Sequence, residues 1–196
     1  MKTILTKQDV LELMAASQEA AERRHADFEA SLQKSNADFN KQMKELNKKM
    51  GELTDTIGEA AEAQVRENVI ALFRERKIIL DEIFPNAIKE NFDGTILYEI
   101  DLLVVNTMYA VAVEVKNTLR QRDVENHLKQ IEKIEQHPMS CVKGKILIGA
   151  VAGMLMKHEV AEFAMKKGLF VIKPKGDAVK ILNKHDFKFQ EWNIRK

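Results

Sequence analysis

The sequence predicts a mixed α/β domain, its sheet flanked by helices, preceded by a long N-terminal coiled-coil helix. Three observations predict this. Two apolar runs rich in Val, Leu and Ile lie back to back over Tyr98–Lys116, as strands buried on both faces do. Helical periodicity surrounds them, at Glu59–Lys77 and again at Arg120–Gln136. Residues 8–57 contain no proline and are dominated by Ala, Glu, Lys and Gln, which favour helix.

The N-terminal stretch carries the clearest period. Phe39, Met43, Leu46, Met50, Leu53 and Ile57 recur at alternating steps of four and three, a coiled-coil seam. Ala21, His25, Phe28, Leu32, Ser35 and Phe39 follow the same rhythm with weaker residues, and the two frames meet in consecutive four-residue steps that resemble a stutter. Thr6 is placed to cap a helix over Lys7–Ala21, separate from the long one or continuous with it. A one-sided stripe on a long helix cannot bury itself, so residues 1–57 are expected to self-associate, as a dimer first. A helix folded back on the globular domain is the alternative. Gly58 reads as the joint at which residues 58–196 begin their own domain.

Glu59–Lys77 places Val65, Val69, Leu72 and Phe73 on one helix face, with Glu62 and Arg66 as an i, i+4 pair. Pro85-Asn86 and Asp93-Gly94 are turn signals, and Ala87–Asn91 between them reads as a short first strand. In the following pair of runs, strict alternation places Tyr98, Ile100, Leu102, Val104, Val111, Val113 and Val115 on one face. Leu103, Val105, Ala110 and Ala112 fall on the other, together with the charged residues. The two alanines leave room for the first helix. The helix over Arg120–Gln136, ended by Pro138, buries Val124, Leu128, Ile131 and Ile134; His127 and His137 lack partners at ligand spacing and read as surface residues. Lys145–Val151, Met156–Lys167 and Leu169–Lys173 read as strand, helix stopped by Gly168, and strand, a unit that implies parallel pairing. Lys173-Pro174-Lys175-Gly176 reads as a turn, Val179–Leu182 as an edge strand, and Trp192 as a core anchor.

Glu99, Asp101, Glu114 and Lys116 are set into the apolar runs, where a charge is costly unless neutralised. If Thr107 and Met108 form a two-residue turn, Asp101 sits opposite Glu114 with Cβ atoms about 5 Å apart. A turn centred on Asn106–Thr107 would place Glu99 there instead. Two carboxylates so close in a dry setting repel each other unless a cation bridges them, and Lys116 adds an ammonium on the same face. A cross-strand ion-pair ladder with no chemical purpose uses the same residues.

The pattern Asp101, then Glu114-Val115-Lys116, resembles the D…ExK core of the PD-(D/E)XK nuclease superfamily, and most of all the Holliday-junction-resolvase-like branch. The order helix, three strands, helix, strand over roughly residues 58–173 is similar as well. Ile100 stands where the superfamily name has proline. The resemblance implies a restriction-endonuclease-like αβββαβ core and a Mg²⁺- or Mn²⁺-dependent endonuclease or exonuclease acting on phosphodiesters, DNA above RNA. It implies Asp101, Glu114, Lys116 and Glu62 as catalytic residues, and Asp101, Glu114, the Val115 carbonyl and Glu62 as metal ligands, with Glu59 as the alternative to Glu62. Gln130 matches a helix glutamine of several branches, with a solvated surface glutamine as the alternative; Arg120, Arg122, Lys129 and Lys133 on the same helix are candidate phosphate contacts. An inactive nuclease-fold protein that binds DNA or a protein through its coiled coil is the alternative.

Composition narrows the rest. A net charge of +1 over 196 residues gives no global signal for a polyanion, so any nucleic-acid contact is local. The single cysteine, Cys141, suits a reducing compartment. No apolar run approaches the roughly 18 residues of a membrane span, and the N-terminal stretch lacks a signal-peptide core. The expectation is a cytoplasmic protein.

Overall fold

The computed structural model describes residues 6–175 and 178–195. Internal contacts divide the chain into two units, Met1–Leu53 and Thr54–Lys196. The first helix, α1, runs over Lys7–Glu75. Gly51 and Gly58 both lie inside it, so the joint expected at Gly58 is not a helix break. An isolated glycine costs a helix only about 1 kcal/mol, and the strong formers around it outweigh that. Thr6 caps the helix reciprocally: its amide donates to Asp9 Oδ2 at 2.7 Å, and the Asp9 amide donates to Thr6 Oγ1 at 3.3 Å. In the first unit Phe28, Leu32, Phe39, Met43 and Leu46 are exposed along one stripe.

The second unit is built on a seven-stranded mixed sheet in the order β1-β2-β3-β4-β5-β6, with β7 on β4. After α1 come β1 (Glu82–Glu90), β2 (Ile96–Val105), β3 (Tyr109–Leu119), α2 (Gln121–Gln136), β4 (Ile146–Met156), α3 (His158–Lys166), β5 (Phe170–Lys175), β6 (Ala178–Ile181) and β7 (Trp192–Asn193). The run α1-β1-β2-β3-α2-β4 is the expected αβββαβ order. β1, β2 and β3 pair antiparallel, whereas β3, β4 and β5 are parallel. Pro85 and Asn86 do not turn the chain; they lie inside β1, an edge strand, where a missing amide is tolerated. Lys173–Lys175 likewise continue β5, and the remainder of the turn expected there, at Gly176, lies outside the described residues.

Two apolar layers cover the sheet. On one side, Ala61, Val65, Val69, Leu72 and Phe73 of α1 pack on Leu102, Val104, Val111, Val113 and Val115. Phe170 centres this layer, in edge contact with Phe73 at 5.2 Å and Phe187 at 5.5 Å, and with Phe189 tilted at 5.2 Å. On the other side, α2 and α3 cover Leu103, Val105, Ala110, Ala112, Leu147 and Val151. A Cβ on Gly149 would run into Leu169 and Ile131, so the glycine sets how closely α2 approaches β4. Trp192 closes this layer's rim and pairs with Leu147.

Two expectations about faces are corrected here. Tyr98 and Ile100 belong to the α2–α3 layer, while Leu102 and Val104 belong to the α1 layer. β2 therefore changes face between Ile100 and Leu102. β1 does the same between Ile83 and Ala87, around Asn86 with its positive φ of 47°. The second correction concerns Ala110 and Ala112, which receive α2 rather than the first helix.

Phe170→Ala is predicted to destabilise the chain by about 3–4 kcal/mol, since it removes the ring on which α1, β5 and the C-terminal segment converge. Urea unfolding of the variant beside the wild type measures it; a loss under about 1 kcal/mol would contradict this packing.

Candidate active site

β3 is the strand that positions the candidate residues. Its ladder with β2 runs from Val105↔Ala110 to Leu102↔Val113, while its ladder with β4 continues to Leu119↔Met156. The hairpin turn sets that register. The Asn106 amide donates to the Tyr109 carbonyl, and Asn106 Oδ1 accepts from the Met108 and Tyr109 amides at 2.8 and 2.5 Å, leaving Thr107 and Met108 central. Carried one step further, the register sets Asp101 across from Glu114. Glu99 pairs with Ile88 and is exposed, away from the cluster.

Beyond Val113 the β2 backbone no longer serves β3. The Asp101 side chain takes over: Val115 N–H donates to Asp101 Oδ2 at 2.7 Å. Lys116 Nζ lies 3.4 Å from the same oxygen and 2.6 Å from Glu114 Oε1. The two carboxylates are largely buried, with side chains 16% and 10% exposed, against 40% for the lysine. Burial first, then the charge of Asp101, push the Glu114 carboxyl up to about 7, against the opposing pull of Lys116. Desolvation works against the Lys116 ammonium, but Glu114 and Asp101 outweigh it and the lysine is raised. Glu62, on α1, is raised by desolvation and then by Asp101, with Lys116 opposing, so its carboxyl shares the electrostatic field of the cluster. Glu59, the alternative to Glu62, is exposed.

His127 corrects the sequence reading most sharply. It is fully buried, not a surface residue. Its Nε2–H donates to the Ala112 carbonyl at 3.2 Å, and its Nδ1 lies 3.5 Å from Gln130 Oε1 and 3.9 Å from Glu114 Oε2. Complete desolvation pushes its pKa down to about 4, so the ring is neutral and carries one proton. With that proton on Nε2, lone-pair-bearing atoms of three side chains converge at Nδ1. A proton on Glu114 or a turned Gln130 amide relieves this. The signal was legible: Val124, His127, Ile131 and Ile134 follow one helical stripe. Gln130 is half-buried against His127. Arg120, Arg122 and Lys129 are exposed, and Arg122 Nε lies 3.6 Å from Asp123 Oδ1.

The donor set is hard: carboxylate oxygens of Asp101 and Glu114, with the Val115 main chain between them, and no thiolate. Such oxygens fit Mg²⁺ or Mn²⁺. Among the described residues no three His, Cys, Asp or Glu side chains gather closely enough to hold an ion on side chains alone. A cation would therefore need a main-chain carbonyl or water to complete its shell.

No family model matches the chain, and no curated protein matches it. The fold is similar to that of a repair endonuclease from Pyrococcus abyssi, at 15% identity and a TM-score of 0.39, over 58% of this chain. It is also similar to the small subunit of a heterodimeric restriction endonuclease, at 12% identity and a TM-score of 0.31, over 61% of this chain and 72% of that one. The chain spans 46% of the length of the archaeal repair endonuclease. These likenesses concern the fold and carry no argument about activity.

The Glu114 shift makes a thermodynamic prediction. Its folded pKa lies above the ordinary glutamate value of 4.5, so its contribution is fully present below about pH 4.5 and lost as pH rises through about 7. Glu114→Gln should melt with the wild type near pH 5. In chelator at pH 8 it should melt higher by roughly 3–8 °C. Scanning calorimetry across that range checks it; an equal or lower melting temperature at pH 8 would contradict it.

Proposed function

We propose that the chain is a divalent-metal-dependent nuclease that hydrolyses phosphodiester bonds, in DNA above RNA. The observation that carries this reading is the meeting of Asp101, Glu114 and Lys116 where β2 and β3 part. Asp101, Glu114 and the Val115 carbonyl would hold Mg²⁺ or Mn²⁺, with water completing the shell and Glu62 acting through its charge rather than as a close ligand. Bound there, the ion would act as a Lewis acid on a phosphate oxygen and make a coordinated water acidic.

The side chains have separate tasks. Asp101 spends Oδ2 on the Val115 amide and Lys116, which fixes its orientation and leaves Oδ1 for a cation. Glu114, close to neutral pH in its own titration, is poised to take a proton or to give one up to an incoming cation. The Lys116 ammonium, held by both acids, stabilises negative charge that builds on the phosphoryl oxygens. His127, neutral and walled in, keeps water away from the rear of Glu114. Arg120, Arg122 and Lys129 offer phosphate contacts along α2, with Gln130 at the cleft edge.

A second reading is an inactive nuclease-fold module that binds DNA or a partner protein. The observation favouring it is that Lys116 already pairs with both acids as a compact ion-pair set. In either reading the exposed stripe Phe28, Leu32, Phe39, Met43 and Leu46 makes the helical segment a self-association element, a dimer first.

Two experiments test these readings. With Mn²⁺ or Mg²⁺ on linear, nicked and branched DNA, the wild type should cleave; Asp101→Ala and Lys116→Ala should each lose at least about a hundredfold in rate while keeping their far-UV spectra. Cleavage retained by both variants would remove the hydrolase assignment. In light scattering coupled to size exclusion, the wild type should run as a dimer and the Met43→Glu/Leu46→Glu double variant as a monomer; an unchanged mass would contradict the seam.

A further inference from the structure

A cavity of about 520 Å³ opens at the ends of β3 and β4, where α2 and α3 begin. Its wall is apolar, from Leu119, Leu155, Met156 and Val160, and its rim carries Arg120, Lys157 and Lys173. Among the described residues no acidic one lines it. Among the described residues none of these three cations is ion-paired, so their charge is uncommitted. α3 starts behind Lys157 without a side-chain cap, which adds partial positive charge at the same rim. Thr118 and Gln121 supply hydrogen-bonding groups. Gln121 Nε2 donates to Glu125 at 2.8 Å, which leaves its amide oxygen free to accept.

We propose that this cavity holds one unstacked nucleotide of single-stranded DNA, its base among Leu119, Leu155, Met156 and Val160 and its phosphate at Arg120, Lys157 and Lys173. The argument rests on the nuclease reading and deepens it by naming the form of the substrate. Leu119 follows Lys116 by three residues on β3, roughly 10 Å along the strand, which is the span of two to three nucleotides. Leu119, Met156 and Val160 belong to the α2–α3 layer, the side on which His127 meets Glu114. A strand whose scissile phosphate sits at Lys116 therefore reaches the cavity with its next bases. An apolar pocket with a cationic lip suits a base with its phosphate; a paired base would first have to unstack, and a single strand has largely met that cost already.

The test is fluorescence anisotropy with a labelled oligonucleotide of about 15 residues, single-stranded or annealed to its complement, on the full-length chain in chelator so that nothing is cut. The wild type should bind the single strand at least about tenfold tighter than the duplex. Leu155→Glu, at a residue 64% exposed and so outside the packed core, and Lys157→Glu should each weaken single-strand binding about tenfold, with melting temperatures within about 2 °C of the wild type. Equal affinity for the two forms, or an unaltered Leu155→Glu, would overturn the proposal. A Mn²⁺ cleavage assay separates it from the reading it rests on. If single strands are cut at wild-type rate by both variants, the nuclease stands and the pocket falls. If single strands bind through the pocket but nothing is cut, the pocket stands and hydrolysis falls. A single-stranded RNA of the same sequence that binds as tightly would overturn the assignment to DNA.

Discussion

The hydrogen bond from the Val115 amide to Asp101 is the contact on which the site depends. β3 is shared by an antiparallel neighbour and a parallel one, and the two ladders end at different places. Where β2 departs, a buried amide of β3 needs another acceptor, since leaving it unpaired would cost about 1–3 kcal/mol. A carboxylate on β2 supplies it. The same demand that satisfies the backbone thus fixes Asp101 beside Glu114 and Lys116, so the acidic cluster follows from how the sheet divides.

The surroundings make that cluster electrostatically unusual. α1 lies over one face with Phe73 keyed to Phe170, and α2 seals the other with His127 against the Ala112 carbonyl. The second seal needs the small side chains of Ala110 and Ala112 and the bare backbone of Gly149. Dry walls raise Glu114 toward neutrality, and Lys116 compensates only in part. Two acids and one ammonium leave a deficit of positive charge, and the proposed divalent ion rests on that deficit.

Much of this was legible in the sequence because it rests on short-range rules. The hairpin followed from the two apolar runs and the polar break between them, but its register stayed open between Asp101 and Glu99 because the Asn106 side chain, bonded to the Met108 and Tyr109 amides, settles it. α2, its end before Pro138 and the glycine at 168 with its φ of 79° were equally local. What escaped reading depended on neighbours. The face change between Ile100 and Leu102 breaks strict alternation without shifting the register with β1, so no pattern of apolar residues announces it. Pro85 and Asn86 carry turn chemistry, yet an edge position absorbs both. Gly58 was given more weight than one helical glycine bears. His127 lies on a visible apolar stripe, and that period, not metal-ligand spacing, is what accounts for its burial. The place of Glu62 depends on how α1 lies against the sheet, which alternation and period do not specify.

The most direct measurement is calorimetric titration of Mn²⁺ onto the metal-free chain at pH 7, repeated in two buffers of different ionisation enthalpy. An acid site in which Glu114 is partly protonated must shed protons as the ion enters. The account predicts one ion per chain, a buffer-dependent enthalpy that reports proton release, and loss of both in Glu114→Gln. No binding, or binding that Glu114→Gln leaves unchanged in affinity and in proton release, would contradict it.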